Sequence, residues 1–247
     1  MRIRMNLSYD GHNFMGFQRQ SGNIRTIQGV LENTISRIFN DDITITASGR
    51  TDAGVHALKQ VVSFECKKEV LDLDKLRYSL NCMLPQDIHI NKVMQVNDDF
   101  HPRHNVINKT YQYKINMGEA NPFYENYRYE FKRKLDLELI KLAIKEFIGE
   151  HNFKNFTTKE EDNHEFVRRI DDIFIEKKGD VVTFTLIGNG FMRYMVRMIV
   201  GTLIMVGLKK EEYLFVRNKL KENQRNVVIY KAPPQGLYLV DVKYKGE

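Results

Sequence analysis

Twice along the chain, a period-two alternation of apolar residues gives way to a helical period. That switch limits the available folds more than any other feature. Ile3, Met5, Leu7 and Tyr9 alternate with Arg2, Arg4, Asn6 and Ser8, the pattern of a strand buried on one face. TIQGVLENTISRIF then sets Ile27, Val30, Leu31, Ile35, Ile38 and Phe39 at helical spacing, with Thr26 as the expected cap. ITITAS and QVVSFEC read as strands, the second with Val62, Phe64 and Cys66 on one face. A helix carrying Leu73, Leu76, Leu80 and Met83 is expected from Asp72 until Pro85 ends it.

Further strands and helices repeat the order. Strands are expected at Ile88–Val96 and KTYQYKINM, a helix from Asp136 to Gly149, and strands at Ile170–Ile175 and Val181–Gly188. A buried helix over MIVGTLIMVGL, a short helix near Glu211–Lys221 and a last strand, GLYLVDVKY, complete the chain. Strand runs interrupted by helices predict an α+β fold: a largely antiparallel mixed sheet with helices packed on one face. The least structured join, Asp98–Asn108, divides the chain into an N-terminal half, 1–100, and a C-terminal half, 101–247. The polar, acidic stretch TTKEEDNHEF is expected to be a mobile loop.

The 247 residues, 42% hydrophobic and 28% charged, suffice for one large domain or two modest ones with ample core. Cys66 and Cys82 form neither a CxxC pair nor a disulfide framework, so reduced thiols and a cytoplasmic location are expected. The alternating N-terminus lacks a signal-peptide apolar run. The apolar run Met198–Leu208 is about half the roughly 20 residues a membrane helix needs. Thirty-eight Lys and Arg against 32 Asp and Glu give +6, which is compatible with a polyanionic partner without proving one.

There is no GxxxxGK[ST] phosphate loop, no HExxH and no clustered Cys/His. His101 and His104 in FHPRH read as a polar loop unless further ligands join them. GNG at 188–190 reads as a bend before a helix, with anion binding as the alternative. Three clusters remain. In SGRTDAGVHAL, Asp52 is either the first corner of a turn or a carboxylate held for chemistry beside Arg50. In GNGFMRYMVRMIVG, Arg193 and Arg197 stand four apart on an expected helix face, and at least one guanidinium must lie near buried structure. Its partner is either any core acid or Asp52, which Arg197 would keep ionised and aimed. In FHPRHNVINKTYQY, Arg103, His104 and Lys109 lead into Tyr111 and Tyr113, either core tyrosines or a base-stacking platform beside phosphate contacts.

Together these clusters resemble the TruA-type tRNA pseudouridine synthases nearly end to end. The resemblance rests on YDGHNFMGFQRQ, RTIQGVLE, GRTDAGVHALKQVVSF, LPQDIHI, FHPRHNVINKTYQYKI, GEHNFKNF, GNGFMRYMVRMIVGTLI and APPQGLYLVDVKY, in that order. It implies a pseudouridine synthase fold with two similar α/β halves flanking a central cleft. It implies isomerisation of uridine to pseudouridine in tRNA, typically at positions 38, 39 and 40 of the anticodon arm, with no metal and no cofactor. By the same resemblance, Asp52 matches the catalytic aspartate and Tyr111 the substrate-stacking tyrosine. Arg197 matches the arginine contacting that aspartate, and Arg50 the arginine implicated in base flipping. The family also implies a symmetric homodimer with each tRNA touching both subunits. Further RNA contacts are expected from Arg19, Arg25, Arg103, His104, Lys109 and Arg193. Pro102 and Val106 stand where the family more often has alanine, which bears on target choice more than on catalysis. A tRNA-binding chaperone that kept the fold without the reaction is the alternative, weakened by the presence of Asp52, Tyr111 and Arg197.

Overall fold

The computed structural model describes residues 1–67, 72–158, 166–222 and 224–246. Along the chain run β1 (Arg2–Tyr9), α1 (Ile27–Phe39), β2 (Thr46–Ala47), β3 (His56–Glu65), α2 (Leu73–Met83) and β4 (Ile88–Val96). They are followed by β5 (Val106–Asn116), β6 (Tyr129–Glu130), α3 (Leu137–Lys145), β7 (Gly149–Asn152), β8 (Val167–Lys178) and β9 (Val181–Gly188). α4 (Met195–Gly207), α5 (Phe215–Lys221) and β10 (Leu237–Tyr244) close the order. Of the stretch expected to be a mobile loop, residues 159–165 lie outside the described residues.

Local chemistry sets the helix starts. The side chains of Thr26, Asp72 and Asp136 accept from the backbone N–H of Gly29, Lys75 and Leu139, satisfying donors that the first helical turn leaves open. α3 stops at Lys145, short of the expected Gly149, which instead opens β7 at φ +107°. ITITAS contributes only the two residues of β2.

The chain forms two compact units, Met1–Ile107 with Tyr238–Glu247, and Asn108–Leu237. The first thus extends past the 100/101 division read from the sequence and takes in nearly all of β10, which that reading grouped with the second half. β1 lies antiparallel between β3 and β4, β2 pairs antiparallel with β3, and β10 joins β3 in parallel at Tyr238–His56 and Leu239–Ala57. Ile3, Met5, Leu7 and Tyr9 are buried as the alternation requires. Arg4, on the other phase, is buried too, its guanidinium 4.3 Å from the Tyr244 ring centroid and 5.4 Å from that of Phe100.

In the second unit β9 lies antiparallel between β5 and β8, β7 pairs antiparallel with β8, and β6 joins β5 in parallel. α3 packs on α4. Every residue of α4 except Met205 is buried, as a helix apolar all round must be. Among the described residues no helix is long and apolar enough to cross a membrane.

Candidate functional site

The loop carrying Asp52 joins β2 to β3, and buried polar groups hold it. Gln60, fully buried on β3, commits its whole amide. Oε1 accepts from the Ser48 hydroxyl at 2.6 Å and the Val61 N–H at 3.1 Å. Nε2 donates to Gly49 O at 3.0 Å and to the Tyr9 hydroxyl at 3.4 Å. The Tyr9 hydroxyl also shares a hydrogen bond of 2.8 Å with Thr51 Oγ1. Burial pushes the Tyr9 phenol up to about 12, with the bonds to Thr51 and Gln60 pulling the other way. Ser48, Gly49 and Thr51 therefore hang from one strand-borne amide and one phenol.

The segment after β1 closes the cradle. Phe17 N–H donates to Thr51 O and Gly54 N–H to Phe14 O, while Phe14 and Phe17 are buried. At Gly11 a Cβ would sit 2.0 Å from Val55 O, so only glycine lets this segment lie against the loop. Val55 N–H donates to Asp52 O at 3.2 Å and Gly54 has φ +75°, the reversal expected of Ala-Gly. Asp52 is thus both a turn corner and a half-buried carboxylate on a braced loop. Arg50 is exposed and makes no ion pair among the described residues.

Tyr111, Arg197, Arg193 and Lys109 belong to the second unit. Tyr111 sits on β5 opposite Leu186, buried, with Phe191 edge-on at 5.2 Å. Its neighbour Tyr113 is fully buried and donates to Pro233 O at 2.7 Å; burial raises its phenol well above the ordinary value. Lys109 is buried as well, unlike Arg103 and His104, which are exposed. Arg197 is 7% exposed, as its apolar surroundings required, and its Nε donates to Ala232 O at 2.8 Å while Ala232 N–H returns to Arg197 O at 2.9 Å.

Arg193 does not share a helix face with Arg197. α4 begins only at Met195, preceded by Tyr194 in the left-handed region at φ +62°, ψ −1°. Arg193 is exposed outside the helix, and its carbonyl accepts from Thr157 Oγ1 at 3.0 Å.

Two of the remaining basic candidates, Arg19 and Arg25, already have ion-pair partners. Arg19 reaches the buried Glu32 at 3.0 Å. Arg25 grips Asp87 with two nitrogens, at 2.8 and 3.0 Å, over the ring of Phe14. Arg103 and His104 flank His101, whose Nδ1 accepts both their backbone N–H groups. Burial first, then the charges of His104, Arg2 and Arg103, pull the His101 imidazole down.

Gln60, Tyr9 and the Gly11–Phe17 segment are supports that the sequence reading missed. A glutamine in phase with the inward-facing Val62, Phe64 and Cys66 was the available signal. Tyr194, an aromatic between two arginines, was another.

The sequence model of the family described as tRNA pseudouridine synthase matches residues 6–105 and 143–245. A Bacillus cereus protein named tRNA pseudouridine synthase A 2 is 39% identical over 242 residues, covering 98% of this chain and 98% of its own. Proteins named tRNA pseudouridine synthase A are 39% identical in Streptococcus agalactiae (100% of this chain, 96% of that one) and 37% identical in Thermosipho melanesiensis (98% and 99%). Among solved structures, a Cbf5–Nop10–Gar1 complex aligns at 14% identity and a TM-score of 0.37, over 82% of this chain and 45% of that one, and adds nothing to these matches.

Proposed function

The chain belongs to the tRNA pseudouridine synthase family, and from that premise we propose that it isomerises uridines 38, 39 and 40 in the anticodon arm of tRNA. The observation carrying this reading is 36–39% identity, sustained over 98% or more of the chain, to proteins named tRNA pseudouridine synthase A or A 2. The reaction breaks the N1–C1′ bond, turns the uracil and joins C5 to C1′. The C5 proton leaves and N1 gains one, so no redox partner is needed.

Asp52 is the reacting carboxylate, either attacking covalently or removing a ribose proton. A braced loop suits either role, because a carboxylate fixed before substrate arrives needs little reorganisation. The target leaves its stack at a cost of a few kcal/mol. Arg50, exposed on the same loop, fills the vacated space or holds phosphate. Stacking on Tyr111 returns about 1–3 kcal/mol. Arg197 supplies positive charge that keeps the reacting carboxylate ionised. The working protein is a homodimer.

The test is tritium release from tRNA labelled at uracil C5, with positional mapping of the products. Release abolished in Asp52→Asn, with modification confined to 38–40, is expected. Products elsewhere in the arm would move the target assignment. Binding without release would leave a tRNA-binding protein.

A further inference from the structure

Three cations surround one tyrosine ring at the entry to α4. Lys231 Nζ lies 4.4 Å from the Tyr194 centroid, the Arg193 guanidinium 4.8 Å and that of Arg197 5.3 Å. The three are not equivalent. Arg197 is buried, and its Nε is committed to Ala232 O. Arg193 and Lys231 are exposed, and among the described residues no carboxylate lies within ion-pair distance of either. Arg193 Nη2 donates to the Tyr194 hydroxyl at 3.0 Å, so its fork is aimed and not free to sweep.

The scaffold under these charges is held tightly. Tyr194 keeps a left-handed backbone that a bulky side chain adopts only when its surroundings impose it. Lys231 rides on a strap pressed against α4. A Cβ at Gly201 would come within 2.8–2.9 Å of Tyr230 C and O and Lys231 N, and the next residue, Ala232, exchanges two hydrogen bonds with Arg197. Like charges gathered at one place repel, and the ring's negative face only partly offsets that. An arrangement that holds two exposed cations together without an acid is complementary to an anion arriving from outside.

We propose that Arg193 and Lys231, gathered on the Tyr194 ring, bind one backbone phosphodiester of the substrate tRNA. This rests on the tRNA reading above and adds a site to it. The ring orients the two cations, and they neutralise the phosphate and release its counterions.

The test is tRNA binding by fluorescence anisotropy across a potassium chloride series, using a labelled anticodon-arm transcript. It compares wild type with Lys231→Gln, Arg193→Gln and the double variant. Because the two cations share one phosphate, the double variant is expected to flatten the log Kd against log salt slope by about 0.7–0.9, and each single neutralisation by part of that. Lys231→Arg should restore the wild-type slope. Tyr194→Leu, which keeps both charges and removes the platform, should weaken binding several-fold. A double variant with wild-type slope and affinity overturns the site. Tritium release by the wild-type protein, measured in parallel, separates the two readings. Release with unchanged slopes sinks the phosphate site alone, and flattened slopes without release sink the isomerase alone.

Discussion

The Asp52 loop and the entry to α4 each hold candidate functional side chains still, and they do it by opposite means. The loop is neutral polar architecture: the Gln60 amide with all its positions used, and a buried phenol. The helix entry is packing: backbone against backbone at Gly201, rings against guanidinium groups, and a residue forced left-handed. Hydrogen bonds are directional and suit a short carboxylate that must point accurately. Packing suits long cationic side chains, whose stems bury while their heads stay polar.

This contrast orders the expected effects of mutation. The largest belongs to the proposed reacting group: Asp52→Asn should lower turnover by at least about 10³-fold, as loss of a general base or nucleophile does. Its tRNA affinity should stay near wild type, measured by tritium release and anisotropy on the same preparation.

Next is the loop's brace. Gln60→Leu removes the amide that bonds the Ser48 hydroxyl, the Gly49 carbonyl and the Val61 N–H. It should cost about 3 kcal/mol, at about 1–3 kcal/mol per buried unsatisfied group, read as a lower urea midpoint. Turnover should fall more than affinity, because the aim of Asp52 is what loosens; wild-type turnover in a destabilised protein would show the brace to be structural only.

High pH should weaken the same region. The folded Tyr9 phenol titrates near 12 against an ordinary value of 10, because burial disfavours its anion. The unfolded chain therefore loses this proton first. Stability is intact below about pH 10 and falls as pH climbs through 10 towards 12, by about 3 kcal/mol in all at about 1.4 kcal/mol per unit. Tyr9→Phe should flatten that decline in urea midpoints between pH 9 and 12.

The packed entry should respond differently. Gly201→Ala drives a methyl into the Tyr230–Lys231 backbone and should cost about 2 kcal/mol, in the range for overpacking. The displaced strap should weaken tRNA binding at low salt while leaving the Asp52 loop's kcat near wild type. A kcat loss without a binding loss would reverse the contrast.

Much of this was legible before any coordinates. Thr26, Asp72 and Asp136 announce their helices because a cap is a local contact. The Ala-Gly reversal after Asp52 is equally local. The role of Gln60 was not, because a polar residue at one strand position says nothing about what lies beneath it. Burial of Arg4 failed the alternation for the same reason: Phe100 and Tyr244, far along the chain, cover it.

The order of residues alone sufficed for most of the elements, the α+β class and the family, since each depends on contacts a few positions apart or on motifs read in series. Folding in three dimensions settled that β10 pairs with β3, that Arg193 falls outside the helix Arg197 belongs to, and that Lys231 shares a ring with both. Those outcomes depend on which distant segments pack together, and a pairing between residues 57 and 239 leaves no periodic trace at either end.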